Sequence, residues 1–292
     1  MISDYTQSII IILCINVIIV LGVSILTGFT RLFSFGNAGF MSIGAYTSAL
    51  LTARLGVPFL PAIAAGMLTA GFVSFLLGSL TLKLKGDYFL ITTLGFGECV
   101  RVLFNYIEPI TGGAKGLPGI PKYTTLTVSL ISVCLAISLA WTFIHSRYGR
   151  SLMAIREQEL AAEAVGIDVT RLKKLSFMFS AVFAGWAGAL YAHNLMFLSP
   201  VMFNLPRSAE LTITVVIGGL GSLTGSIMSS VIITLLPEIF RNFAQYRMFF
   251  YGLAVLFIIV LRPDGLLGYR EFSVSGILRF LRIKTAEKEG TE

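Results

Sequence analysis

The chain has 292 residues, of which 55% are hydrophobic and only 13% charged, with a formal net charge of +7. Soluble domains carry about a quarter charged residues, so this composition excludes an ordinary globular enzyme and points to a polytopic membrane protein. The positive charge is spread over several loops and a tail, which suits cytoplasmic loops beside anionic lipid and not a nucleic-acid surface.

An uncharged stretch separates Asp4 from Arg31, enough for the roughly 20 residues that cross a hydrocarbon core. Residues 9–27 read as a retained helix and not a removed signal peptide, since neither a basic leader nor a small-residue cleavage site stands out. Asn16, inside that helix, is expected to act as glue between helices. Cys14, Cys99 and Cys134 fall in apolar segments without metal-like spacing and are expected to be small buried packing residues.

Next come Gly28, Gly36 and Gly39 together with Ser34 and Asn37. Two readings are open. A broken segment would let its backbone line a cavity, making Ser34, Gly36, Asn37 and Gly39 substrate-pathway candidates. Alternatively the small residues let helices pack closely, with Ala45 and Ala49 continuing that face. Residues 58–82 form another span, and Lys83, Lys85 and Asp87 mark its cytoplasmic end. Glu98 and Arg101 then lie three residues apart in an apolar stretch. An isolated charge in a bilayer is expensive, so they are expected to neutralise each other towards the bundle interior; a polar element of the translocation path is the other reading. Residues 111–121, TGGAKGLPGIP, are turn chemistry and cannot span, while 123–144 run back inward.

The longest polar interruption covers residues 146–174, with six basic residues (Arg147, Arg150, Arg156, Arg171, Lys173, Lys174) against four acids (Glu157, Glu159, Glu163, Asp168). Cytoplasmic loops look like this. Residues 151–165 are built from helix formers, and Leu160, Ala161, Ala164 and Val165 recur at helical spacing as one narrow face of small side chains. Gly166 is expected to end that helix in a left-handed conformation and Asp168 to cap the next one. On pattern alone this loop helix either folds back on its own bundle or docks a soluble partner.

Residues 175–192 carry Ala181, Gly185, Ala189 and Ala184, Gly188, Ala192 at four-residue spacing, a surface for tight helix contact. The loop 198–207 holds one basic residue and belongs outside. The apolar run 211–236 is interrupted by Gly218, Gly219, Gly221, Ser222 and Gly225. With that loop outside and a basic tail inside, an odd number of crossings must lie between. The run is therefore expected to enter and return on one side, which makes Gly218, Gly219, Gly221 and Ser222 further pathway candidates. A final span is expected at 248–261, then a turn at Pro263, Asp264 and Gly265, then a tail with Arg270, Arg279, Arg282, Lys284 and Lys288.

The run AIREQELAAEAVGIDVTRLKKLSFMFSAVFAGWAGALYA (154–192) resembles, nearly ungapped, the coupling loop and following helix of LivM-type permease subunits of bacterial branched-chain amino-acid ABC importers. SFGNAG, TGGAKGL and VVIGGLGSLTGS resemble further motifs of that family, with Asn37 standing where Gln is expected. The resemblance covers about residues 28–268. It implies an all-α polytopic bundle with about eight apolar segments, one or two of them broken or re-entrant. It further implies a permease domain over 1–268, a cytoplasmic tail over 269–292, and residence in the bacterial inner membrane. Arg156, Glu159, Ala161, Ala162, Glu163, Ala164, Gly166 and Asp168 become the residues that couple to an ATPase. The implied partners are a LivH-like second permease, two cytoplasmic ABC ATPases and an extracytoplasmic substrate-binding protein. The implied cargo is leucine, isoleucine or valine, while related permeases carry urea or short amides.

No nucleotide-binding loop of the Gly-x-x-x-x-Gly-Lys-Ser/Thr type occurs, so energy must come from another chain. His145 and His193 sit near span ends, where a polar tip reaches the interface, and lack metal or catalytic partners. No metal or cofactor is expected, and an intramembrane enzyme is the distant reading. A stand-alone secondary transporter is the stronger rival, although it has less need of a long docking loop.

Overall fold

The computed structural model describes residues 4–84 and 86–239 continuously, and positions 249, 252–253, 255–256, 260, 265–266 and 268 singly. The expected final span, the 269–292 tail and Lys85 lie outside the continuously described residues. The chain is helical: α1 (Asp4–Val23) runs on through a π-helical turn (Ser24–Gly28), followed by α2 (Asn37–Leu55), α3 (Phe59–Thr81) and α4 (Asp87–Tyr106). After α5 (Glu108–Thr111) and β1 (Leu117–Pro118) come α6 (Leu126–His145), α7 (Arg147–Glu157), α8 (Glu159–Ala164) and α9 (Val169–Leu195). β2 (Phe197–Leu198), α10 (Leu205–Gly218) and α11 (Leu223–Ile239) complete the described order.

Among the described residues, four helices are long and apolar enough to cross a bilayer: Tyr5–Gly28, Phe59–Thr81, Leu126–His145 and Val169–Leu195. A fifth is added if α4 and the segment bent 80° from it count as one span. That count is of the described residues, which leave out most of the expected final span, and α2 is absent from it for a reason of its own. Every residue of α2 from Asn37 to Tyr46 is buried, between α3, α4 and α9. A helix enclosed by protein does not need the apolarity that lipid demands. By contrast α3 shows Leu68, Phe72, Leu76 and Leu80 at four-residue spacing on its open side, the stripe expected of a lipid-facing helix.

The small-residue surface of α9 is used as expected. At the crossing of α2, α3 and α9, a Cβ on Gly185 would stand 2.7 Å from the Ala70 Cβ and 2.8 Å from the Gly66 carbonyl, with Gly44 on the third side. Three backbones therefore meet where any side chain would hold them apart.

The two expected external loops come together. Leu117 pairs with Leu198 and Pro118 with Phe197 in an antiparallel two-stranded sheet, and Arg54 Nη2 donates to the Pro109 and Ile110 carbonyls at 2.7 and 2.8 Å on the same side. At the opposite end, residues 30–33, 82–84, 86–87, 155–157, 159–160 and 163 help to surround one cleft.

α10 and α11 form an antiparallel hairpin. Gly218 packs on Gly225, and Ser229 Oγ donates to the Thr214 carbonyl at 2.7 Å one turn further along. Its open end lies beside Tyr5, whose hydroxyl bonds Glu238. Its tip at 219–222 reaches the cleft end, and there the Leu266 N–H donates to the Ile217 carbonyl at 2.8 Å. This is the broken geometry expected of 211–236.

Four expectations are corrected. The loop helix is not continuous over 151–165: Gln158 is extended (φ −155°, ψ 109°) and separates α7 from α8. Of the three cysteines only Cys14 is buried, while Cys99 and Cys134 are exposed on the outside of the bundle. His193 does not reach an interface. It is enclosed, with Nε2 3.0 Å from Thr52 Oγ1 and Nδ1 2.8 Å from the Ala189 carbonyl. Glu98 and Arg101 do pair, but at the edge of the bundle beside the start of α10, each side chain 33% exposed, and not deep in its interior.

Candidate functional site

The polar loop folds into an elbow. Ser146 caps α7 by accepting from Tyr148 and Gly149 N–H, and Asp168 caps α9 by accepting from Arg171 N–H at 2.9 Å, as its position suggests. Between them Gly166 adopts the expected left-handed conformation (φ +85°) with nothing within 4 Å of its missing Cβ. Lys173 on α9 reaches back over this hinge to Glu159 on α8 at 2.7 Å. Leu160, Ala161, Glu163, Ala164 and Val165 are all exposed, whereas Ala162 turns inward and is buried. The elbow thus presents a small, partly apolar face that its own bundle does not cover. Leu160 on α8 and Val165 just past it are exposed apolar residues on this face.

Arg156 behaves differently from its neighbours. Its side chain is 12% exposed, pairs with Glu157 at 2.9 Å and lies 6.0 Å from the Phe29 ring centre. The guanidinium rests on the backbone of Gly221 at the tip of the α10–α11 hairpin. Gly28 closes the same junction, since a Cβ there would stand 2.9 Å from the Gly221 nitrogen. The junction therefore joins the π-helical end of α1, the hairpin tip and α7. Beside it opens the cleft of about 770 Å³, lined by Arg31, Lys83, Asp87, Glu159, Glu163 and Lys173 among others.

A family model for the permease component of branched-chain amino acid transport systems matches residues 5–261. The chain belongs to that family. Within it, the LivM permease protein of the high-affinity branched-chain amino acid transport system of Salmonella typhimurium is 34% identical over 87% of this chain and 68% of its own length. The LivM protein of Escherichia coli is 34% identical over 91% of this chain and 71% of its own. The autoinducer 2 import permease LsrC of an Enterobacter strain is 26% identical over 81% of this chain and 71% of its own. No solved structure matches the chain.

In this family member the candidate pathway residues fall in two places. Ser34, Gly36, Asn37 and Gly39 enter α2 beside α4: Asn37 Nδ2 donates to the Ser34 carbonyl at 2.9 Å, and the Ala38 N–H donates to Ser208 Oγ on α10 at 2.9 Å. A Cβ on Gly39 would come within 3.0 Å of the Gly97 Cα. Gly218, Gly219, Gly221 and Ser222 form the hairpin tip. Of the first group, Gly39 borders a narrow recess lined also by Gly97, Glu98, Asn204 and Ser208, among others. The second group borders the elbow.

One polar cluster is not apparent from the linear sequence. Arg207, expected in a loop, lies in α10, pairs with Glu210 at 2.8 Å and donates to Asn16 on α1, whose amide in turn donates to Thr234 on α11 at 3.0 Å. A signal for it does exist, because Arg207 and Glu210 repeat the three-residue spacing of Glu98 and Arg101.

Proposed function

We propose that this chain is a permease subunit of an ATP-driven importer of leucine, isoleucine and valine in the bacterial inner membrane. It is not itself an enzyme, and hydrolysis belongs to separate ATPase chains. Partner chains of this reading are a second, LivH-like permease, two ATPases docked on the cytoplasmic side, and an external binding protein that delivers the amino acid. The observation that carries the reading is the elbow: an uncovered face of small residues on α8, hinged at Gly166 and tied to membrane helix α9 through Lys173 and Glu159. A stand-alone transporter has no use for such a face.

The elbow is the ATPase-coupling loop, with Ala161 and Ala164 entering the ATPase and Arg156 facing inward. The α10–α11 hairpin enters from and returns to the external side, and the α2 entry and hairpin tip line the path. Reconstituting the whole complex and competing labelled leucine uptake with isoleucine, valine, phenylalanine and urea tests this. Competition by the branched amino acids and dependence on ATP and the binding protein are expected. Uptake by this chain alone, driven by an ion gradient, would overturn it.

A further inference from the structure

Two charged pairs sit at i,i+3 spacing within helices of the bundle, and they are built differently. In the Arg207–Glu210 pair the guanidinium also bonds Asn16, so the pair clamps α10 to α1 and through Thr234 to α11. In the Glu98–Arg101 pair, Arg101 Nε and Nη2 both meet the same oxygen, Oε2, at 2.7 Å. Glu98 Oε1 and Arg101 Nη1 take no partner among the described residues. The pair lies in the second half of α4, each side chain a third exposed. Hydrocarbon cannot satisfy the free oxygen and the free N–H, so a polar neighbour suits this flank better than lipid.

What lies beside it suits an amino acid. The recess next to Glu98 offers Asn204 and Ser208 as polar groups and Phe35, Leu94 and Leu205 as apolar ones. It is too narrow to hold a water molecule, so a ligand enters only when α4 and the start of α10 part. α10 begins at this recess and ends at the junction with Arg156. A helix of that length is a rod of roughly 20 Å. α10 therefore connects the elbow junction to the recess.

We propose that Glu98 and Arg101, with this recess, form a station for the zwitterionic head group of the transported amino acid. Arg101 receives the α-carboxylate and Glu98 the α-ammonium. At rest the two charges satisfy each other, so no charge is stranded while the path is empty. When a zwitterion arrives, one neutral pair is exchanged for two neutral pairs and no net charge moves into low dielectric. Such an exchange gains little net affinity, which is what a transport station needs if the ligand is to leave. This inference rests on the reading of the chain as a permease for free amino acids.

The test uses the assembled complex in proteoliposomes, with Cys14, Cys99 and Cys134 replaced by serine and Leu205→Cys, at a position that lines the recess, reporting occupancy through its rate of maleimide labelling. In the absence of the binding protein, millimolar leucine is expected to slow labelling, while urea and isoamylamine, which lack the carboxylate, do not. Glu98→Gln/Arg101→Gln leaves no stranded charge, so a purely structural pair predicts near-normal leucine uptake. The station predicts uptake down roughly tenfold or more, the loss expected for charge-assisted hydrogen bonds, in a complex that still assembles. Arg101→Lys should keep part of the activity. Near-normal uptake by the double variant, or equal protection by leucine and isoamylamine, would overturn the station. If the unaltered complex moves urea and not leucine, it is the transport reading that fails.

Discussion

The guanidinium of Arg156 lies against the backbone of Gly221, so the elbow and the hairpin tip touch through one side chain and one residue that has none. Gly221 also holds φ +96°, a conformation that favours glycine. Gly221→Ala therefore meets two penalties, a collision and a strained backbone. The expected outcome is a complex that hydrolyses ATP but moves less leucine per ATP. Adding Arg156→Ala removes the collision and not the strain, so the double variant should recover part of the loss. Measuring the ratio of uptake to hydrolysis for the three variants checks this; additive losses would show that the two residues act separately.

The crossing at Gly185 concerns stability and not coupling. A methyl group there meets Ala70 Cβ and the Gly66 carbonyl, and neither can rotate away because one is Cβ and the other backbone. Gly185→Ala is expected to cost about 1–3 kcal/mol or more, the range for overpacked cores, seen as a lowered unfolding temperature in detergent. Leu76→Ala, on the lipid-facing stripe of α3, should stay within roughly 0.5 kcal/mol of the parent.

The hairpin gives a topological test. Leu205 and Glu238 both stand at its open end, and the chain at Leu266 returns to its tip. Single cysteines at 205 and 238 are expected to label from the external side, and one at Thr224 from the cytoplasmic side or not at all. Labelling of 205 and 238 from opposite faces would convert the hairpin into a plain crossing.

Much of this fold is legible in the amino-acid sequence alone, for a physical reason. Apolar runs, the glycine at 166 and the aspartate at 168 act locally, and local signals are what a sequence carries. The break at Gln158 is not legible there: no glycine or proline marks it, and residues on both sides are good helix formers. It arises because Ala162 tucks against the bundle while Glu159 reaches Lys173, a tertiary demand that overrides propensity. Arg207 is misplaced by sequence because counting charges assigns a basic residue to a loop, while the fold lets Asn16 and Glu210 hold it inside. For the candidate site, the glycines stand out in the sequence but their division does not. That at 39 borders a recess beside α4, and that at 221 seats an arginine.

The elbow's two halves can be separated by experiment. Ala161 is exposed among the described residues, so Ala161→Trp is expected to leave the fold in place and to add bulk to the face proposed to meet the ATPase. Loss of the ATPase from the purified complex is expected. Gly166 is exposed too, and nothing stands within 4 Å of where its Cβ would be. The penalty of Gly166→Val is thus conformational, roughly 1–2 kcal/mol for a side chain in the left-handed region. That strain is released by rotating α8 relative to α9, against the Lys173–Glu159 ion pair, so the ATPase should still bind while uptake per ATP falls. Glu159→Lys, which turns that ion pair into a repulsion, should shift the same ratio in the same direction. If Ala161→Trp binds ATPase and transports normally, the docking face lies elsewhere on the cytoplasmic end.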